Sequence, residues 1–124
     1  MQHAPGLYYG PSEIHGRGVF CAHPLAPGDV VEICPVIILE ATEIDLLSQS
    51  LLFEYYFLWG ERQDACAIAL GYGSLYNHSR RPNAEFIPDY GDDTINFVAI
   101  ANITAGQEIT VDYQAGAAVR ALWF

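Results

Sequence analysis

The residues best suited to chemistry lie in two segments, Asn77-His78-Ser79-Arg80-Arg81-Pro82-Asn83 and Gly106-Gln107-Glu108-Ile109-Thr110-Val111-Asp112-Tyr113. An Asn amide donates and accepts at once, so Asn77 can meet both needs of a polar ligand. Tyrosine joins an apolar ring to a polar tip, which suits Tyr113 to orienting a reacting group inside an apolar wall. Far upstream, Gly16-Arg17-Gly18 would let the backbone approach a ligand closely, because Gly has no Cβ. That segment is too short for a dinucleotide loop, which needs G-x-G-x-x-G between a strand and a helix. A lone Asn-His pair is usually a turn held by side-chain bonds to nearby amides.

Those residues need a frame. Short β-like runs recur at Leu7-Tyr9, Gly18-Ala22, Val30-Val36, Ala65-Ala69, Glu85-Ile87, Ile95-Ile100 and Ile109-Val111, separated by Gly, Pro and Asp turn signals. Ala26-Pro27-Gly28-Asp29 and Thr104-Ala105-Gly106-Gln107 read as compact turns joining apolar strands. One short helix is expected over Glu43 to Ser48, capped by Thr42, with Glu43 and Asp45 complementing the helix dipole. Leu51 to Trp59 is aromatic, and its periodicity fits strand or helix equally. With no repeat or linker-like segment, residues 1–124 read as a single mainly β domain with short helices. Its core spans about 7–113, followed by a C-terminal tail 114–124.

Composition narrows the function classes. Fifteen acidic residues against five basic ones leave a net charge of −10, which excludes the basic stripe a nucleic-acid binder needs. An acidic surface steers cationic partners such as Lys/Arg-rich peptides, although solubility alone is also served by it. All five bases are Arg, and the chain has no Lys. Cys21, Cys34 and Cys66 form no C-x-x-C pair and no zinc signature with the four histidines, so they read as buried thiols and no metal is expected. No apolar run approaches the ~20 residues of a membrane helix, and the N-terminus lacks a signal-peptide pattern. A soluble intracellular protein that binds neither membrane nor nucleic acid is expected.

In their order, Gly16-Arg17-Gly18-Val19-Phe20, Asn77-His78-Ser79 with Pro82-Asn83, and Glu108-x-x-x-Asp112-Tyr113 resemble the signature of the SET-domain protein-lysine methyltransferases. The resemblance runs from about Leu7 to Phe124 and is strongest to the short, stand-alone viral and bacterial members. It implies a β-clip fold of small curved sheets, with the Asn77-His78 segment threaded beneath the C-terminal loop as a pseudoknot. It also implies S-adenosylmethionine as methyl donor and a lysine of a basic protein, a histone or a bacterial basic protein, as acceptor. On that likeness Gly16, Arg17, Gly18, Asn77, His78 and Tyr113 would hold the donor, and Trp123 would stack on its adenine. Tyr113 and Tyr55 would act at the reacting groups, Tyr55 being preferred to its neighbour Tyr56. Tyr55, Phe57, Phe86 and Phe124 would line the lysine channel. The aromatic tail would close the site where larger relatives use a Cys-rich zinc segment. Methyl transfer needs a neutral amine, and an apolar channel beside a sulfonium lowers the lysine pKa from about 10.4. A homodimer could add wall to a shallow peptide groove. The rival is a SET-like module that binds cofactor or basic peptide with little turnover, against which the retained Tyr113 argues.

Overall fold

The structure is a computed structural model that describes residues 2–62 and 64–114. Nine strands lie among the described residues: β1 (Leu7–Pro11), β2 (Arg17–Cys21), β3 (Val30–Leu39), β4 (Tyr56–Trp59), β5 (Ala65–Ala69), β6 (Asn77–His78), β7 (Ala84–Asp89), β8 (Thr94–Ala99) and β9 (Glu108–Val111). One sheet has the order β1-β2-β9-β6 and the other β4-β5-β3-β8-β7. The mainly β expectation holds, and each expected run coincides with a strand whose ends differ by at most two residues, except at β3, which continues to Leu39. Both compact turns form where glycine permits a positive φ, Gly28 at 91° and Gly106 at 81°. Their side chains finish them: Asp29 accepts from the Ala26 amide at 2.8 Å and Gln107 from the Thr104 amide at 2.9 Å.

The expected helix forms in place but is shorter, and a 3-10 turn precedes it. A 3-10 turn spans Ala41–Glu43 and a four-residue helix, α1, spans Ile44–Leu47, so Thr42 lies inside the first turn and caps nothing. The N-cap is Glu40, whose amide donates to the Glu43 carboxylate at 2.9 Å. The start of the turn thus lies two residues before the expected cap, and the Glu43 side chain reaches back to close it. The ambiguous aromatic stretch is both things in succession, a 3-10 turn over Leu51–Glu54 and then β4.

The five-stranded sheet curls strongly. Strands β4 and β7 are its two opposite edges, yet Phe57 on β4 and Phe86 on β7 bring their ring centroids to 5.4 Å. Trp59 and Tyr90 repeat the contact further along, edge-on at 4.9 Å. Such a closure needs more than the ordinary right-handed twist. A bulge in β3 supplies it, where the register against β8 jumps between Val30 and Glu32. The bulge also breaks the two-residue alternation, so that Val31 and Glu32 are both buried. A single core results, built on Val19, Val31, Ile95, Phe97, Ile103, Ile109 and Val111. All three cysteines are buried and free, as expected.

β6 is the element that local sequence does not announce. Two residues long, it pairs parallel to β9, with Asn77 opposite Thr110 and His78 opposite Val111. Asn83 locks the arrangement by acting as a surrogate strand partner. Its Nδ2 donates to the Glu108 carbonyl at 2.9 Å, and its Oδ1 accepts from the Thr110 amide at 2.8 Å. The two motif segments are therefore neighbours in space, although the loop expected to close over them lies outside the described residues.

Candidate active site

Two segments, residues 12–17 and the start of β9, converge on the Asn77 side chain. Its Nδ2 lies 3.0 Å from the carbonyls of His15 and Arg17, 3.0 Å from Ser12 Oγ and 2.8 Å from Glu108 Oε2. The Ser12 hydroxyl donates to the other Glu108 oxygen at 2.6 Å and accepts from the Ile14 and His15 amides. Asn77 is buried, so these bonds are shielded from competing water. They fix the Gly16–Gly18 loop against β6 and β9. Gly18 is required there because a Cβ would overlap the Glu108 carboxylate and sit 3.3 Å from Asn77 Nδ2. Gly16 is different. It has φ of 50°, and a Cβ on it would meet nothing within 4 Å, so the loop is open on that side.

Tyr113 leaves β9 into the centre of the curled sheet, where it is 3% exposed. Its ring lies 5.7 Å from both Phe57 and Phe86 and faces the His78 imidazole at 6.4 Å. Its hydroxyl donates to the Tyr76 carbonyl at 2.5 Å, and its amide donates to His78 Nδ1 at 3.2 Å. Asp112 Oδ1 stands 3.6 Å from the same imidazole nitrogen. The parallel β6–β9 pairing thus hands the Tyr113 hydroxyl to the backbone just before Asn77. A polar tip at the bottom of an aromatic wall is the arrangement needed to orient an amine while excluding water.

The expected site residues are partly united. Gly16, Gly18, Asn77, His78, Tyr113, Phe57 and Phe86 fall in one connected region. Arg17 contributes its carbonyl to Asn77, while its guanidinium lies 5.6 Å over the exposed Tyr9 ring. Tyr55 ends the 3-10 turn, half-buried, with ψ near 1°, before the strand begins. Period-two alternation then turns Phe57 and Trp59 inward. Among the described residues the rings meeting Tyr113 are Phe57, Phe86 and His78, and Tyr55 is not among them. Trp123 and Phe124 lie outside the described residues. No group of three or more His, Cys, Asp or Glu side chains among the described residues could hold a metal ion.

Two residues of the site carried no motif signal. Tyr76 is 2% exposed and stacks on Phe97 at 4.1 Å. Its hydroxyl donates at 2.8 Å to Glu32, itself 6% exposed. Burial first, and then the Glu32 charge, holds the Tyr76 phenol well above its usual range. A lone acid inside the apolar run Val30-Val36 was the available clue to Glu32.

The SET-domain family model matches residues 16–114, which takes in the Gly16–Gly18 loop, Asn77-His78 and Glu108 to Tyr113. The chain belongs to the SET-domain family. It is 32% identical over 103 residues to the Schizosaccharomyces pombe histone-lysine N-methyltransferase that is H3 lysine-37 specific, covering 82% of this chain and 69% of that protein. Among solved structures it resembles a candidate histone methyltransferase from Plasmodium falciparum. That match has a TM-score of 0.72 and 29% identity, and covers 94% of this chain and 97% of that one. The fold is accordingly the SET fold and the enzyme class is protein-lysine N-methyltransferase. No helix among the described residues is long and apolar enough to cross a membrane.

Proposed function

We propose that this SET domain transfers a methyl group from S-adenosylmethionine to lysine side chains of a basic protein, by direct in-line displacement at Tyr113. The observation that carries the proposal is the Tyr113 hydroxyl, buried between Phe57 and Phe86 and bonded to the backbone beside Asn77. The donor, when bound, supplies an electrophilic methyl on a sulfonium. The residues present fit it, since Gly16 leaves one side of the glycine loop open and the loop is anchored from the other side. Gly16, Arg17 and Gly18 would hold it through their backbone, with Asn77 and His78 beside them. Asn77 Nδ2 is committed to the loop itself, so Asn77 supports the donor chiefly by shaping that loop. Trp123 is proposed to cover the adenine.

The chain's own groups act on the amine. Phe57 and Phe86 exclude water and disfavour the ammonium form, which helps the lysine arrive as a nucleophile. The Tyr113 hydroxyl, already aligned by the Tyr76 carbonyl, orients the nitrogen and accepts weak contacts from the polarised methyl. The aromatic wall runs on through Trp59 and Tyr90 to two hairpins that carry the exposed acids Glu61, Asp64, Asp92 and Asp93. These would draw a basic chain, such as a histone tail, toward the channel. An intracellular, soluble setting follows from such a substrate. Tyr113→Phe tests the proposal in a radiolabelled transfer assay on a Lys-rich basic protein. Turnover should fall by about two orders of magnitude, the scale for losing a positioned catalytic group, with donor affinity retained. Turnover within about threefold of wild type would remove Tyr113 from the chemistry.

A further inference from the structure

We infer that Glu32 is a positioning residue for methyl transfer, acting on Tyr113 through Tyr76; the inference rests on the catalytic reading of Tyr113. The path is short and continuous. Glu32 Oε1 accepts the Tyr76 hydroxyl at 2.8 Å, and the Tyr76 carbonyl accepts the Tyr113 hydroxyl at 2.5 Å. The other Glu32 oxygen accepts the Tyr72 amide at 2.9 Å, which ties down the segment leading into β6. One carboxylate therefore grips both ends of Tyr72–Tyr76, the stretch whose last carbonyl receives the Tyr113 hydroxyl.

The fold goes to some length to place that carboxylate. Without the β3 bulge, alternation would turn Glu32 outward when Val31 points in; with it, both are buried. Gly71, with φ of 62°, leaves room for it, since a Cβ there would overlap Glu32 Oε2. A buried acid is costly unless its lone pairs are satisfied, and a phenylalanine at position 76 would stack on Phe97 about as well. Stability alone thus gives little reason for a Tyr–Glu pair in this core. Fixing the direction of the Tyr76 backbone does, because a hydroxyl misplaced by about 1 Å can cost on the order of a hundredfold in rate.

The test uses the full chain with labelled donor and a Lys-rich basic protein, and compares Glu32→Gln, Tyr76→Phe and each of these combined with Tyr113→Phe. Both single variants should lower kcat about tenfold while the KM for the donor stays within about twofold. In the Tyr113→Phe background neither should lower kcat further, because the hydroxyl they align is gone. A wild-type kcat in either folded single variant, or losses that multiply in the Tyr113→Phe background, would overturn the inference. If Glu32→Gln does not fold, Tyr76→Phe, which keeps the ring stack on Phe97, decides alone. Failure of the proposed function is told apart from this, because it would show as absent lysine methylation by the wild-type protein, and it would overturn the inference as well.

Discussion

Exchanging Asn77 for aspartate, a change of one atom type with almost no change of shape, should be worse than deleting the side chain. Asn77 Nδ2 faces four oxygens, those of Ser12, His15, Arg17 and Glu108, all within 3.0 Å. Alanine removes the donor and leaves those acceptors short of a partner. At about 1–3 kcal/mol for a buried polar group left unsatisfied, the loss should be about 2–3 kcal/mol. For a domain of this size that is a fall in Tm of roughly 6–15 °C. Aspartate keeps the shape but sets a second carboxylate at the 2.8 Å position beside Glu108 and turns a donor toward two carbonyls into an acceptor. Like charges so close cannot both stay ionised, and a further ~1–3 kcal/mol should be lost at neutral pH. Protonation would restore a donor, so the gap between Asn77→Asp and Asn77→Ala should narrow as pH falls toward about 4–5. Thermal melts from pH 4 to 8 and calorimetric titration with S-adenosylmethionine measure both effects. Donor affinity should fall about 5–150-fold for alanine, the counterpart of 1–3 kcal/mol, and further for aspartate. An aspartate variant as stable as the alanine one at pH 7 would mean that the amide is turned the other way, and the account of the glycine loop would fail.

Gly18→Ala should cost about 1–3 kcal/mol and weaken donor binding, because Glu108 is held by Ser12 and Asn77 and cannot yield to a Cβ; a variant with unchanged Tm and affinity would show that the loop is not clamped. Burial, and secondarily Glu32, pushes the Cys34 thiol and the Tyr76 phenol up from their ordinary values of 9.0 and 10.0. The folded state therefore keeps protons that the unfolded chain releases, so this stability is fully present below about pH 9 and is lost as pH rises past 9–10. Denaturant melts should show that decline, shallower in Tyr76→Phe, and equal slopes would contradict it. With no Lys in the chain, the enzyme incubated alone with labelled donor should stay unlabelled except at its N-terminal amine, while added Lys-rich protein is labelled in a salt-sensitive way. Stoichiometric labelling of an Arg would defeat the lysine assignment.

Most of the frame was readable in the residues themselves. Alternating apolar runs and Gly/Pro turns are local signals, and they located nearly all the strands because strand formation here follows side-chain burial of period two. Thr42 misled because a 3-10 turn begins at Ala41, so the first free amide belongs to Glu40 and the Glu43 side chain is the group that accepts from it. The chain order of Gly16-Arg17-Gly18, Asn77-His78 and Glu108-x-x-x-Asp112-Tyr113 was enough to indicate the family, since each segment matches a short fixed pattern. What those residues do to one another was decided only by tertiary structure. The parallel pairing of β6 with β9 joins segments about thirty residues apart, and no local periodicity encodes a two-residue strand. The sequence marks Asn77 as a residue for holding the donor, and only the folded chain reveals that its nitrogen also bonds the glycine loop. Tyr55 and Phe57 share a parity in the sequence, but only the fold tells them apart, since Tyr55 ends the 3-10 turn before β4 while the Phe57 ring meets Tyr113. Glu32 shows the limit most clearly. Whether a strand residue faces core or solvent depends on the phase of alternation, and one bulge resets that phase by an amount set by pairing with a distant strand.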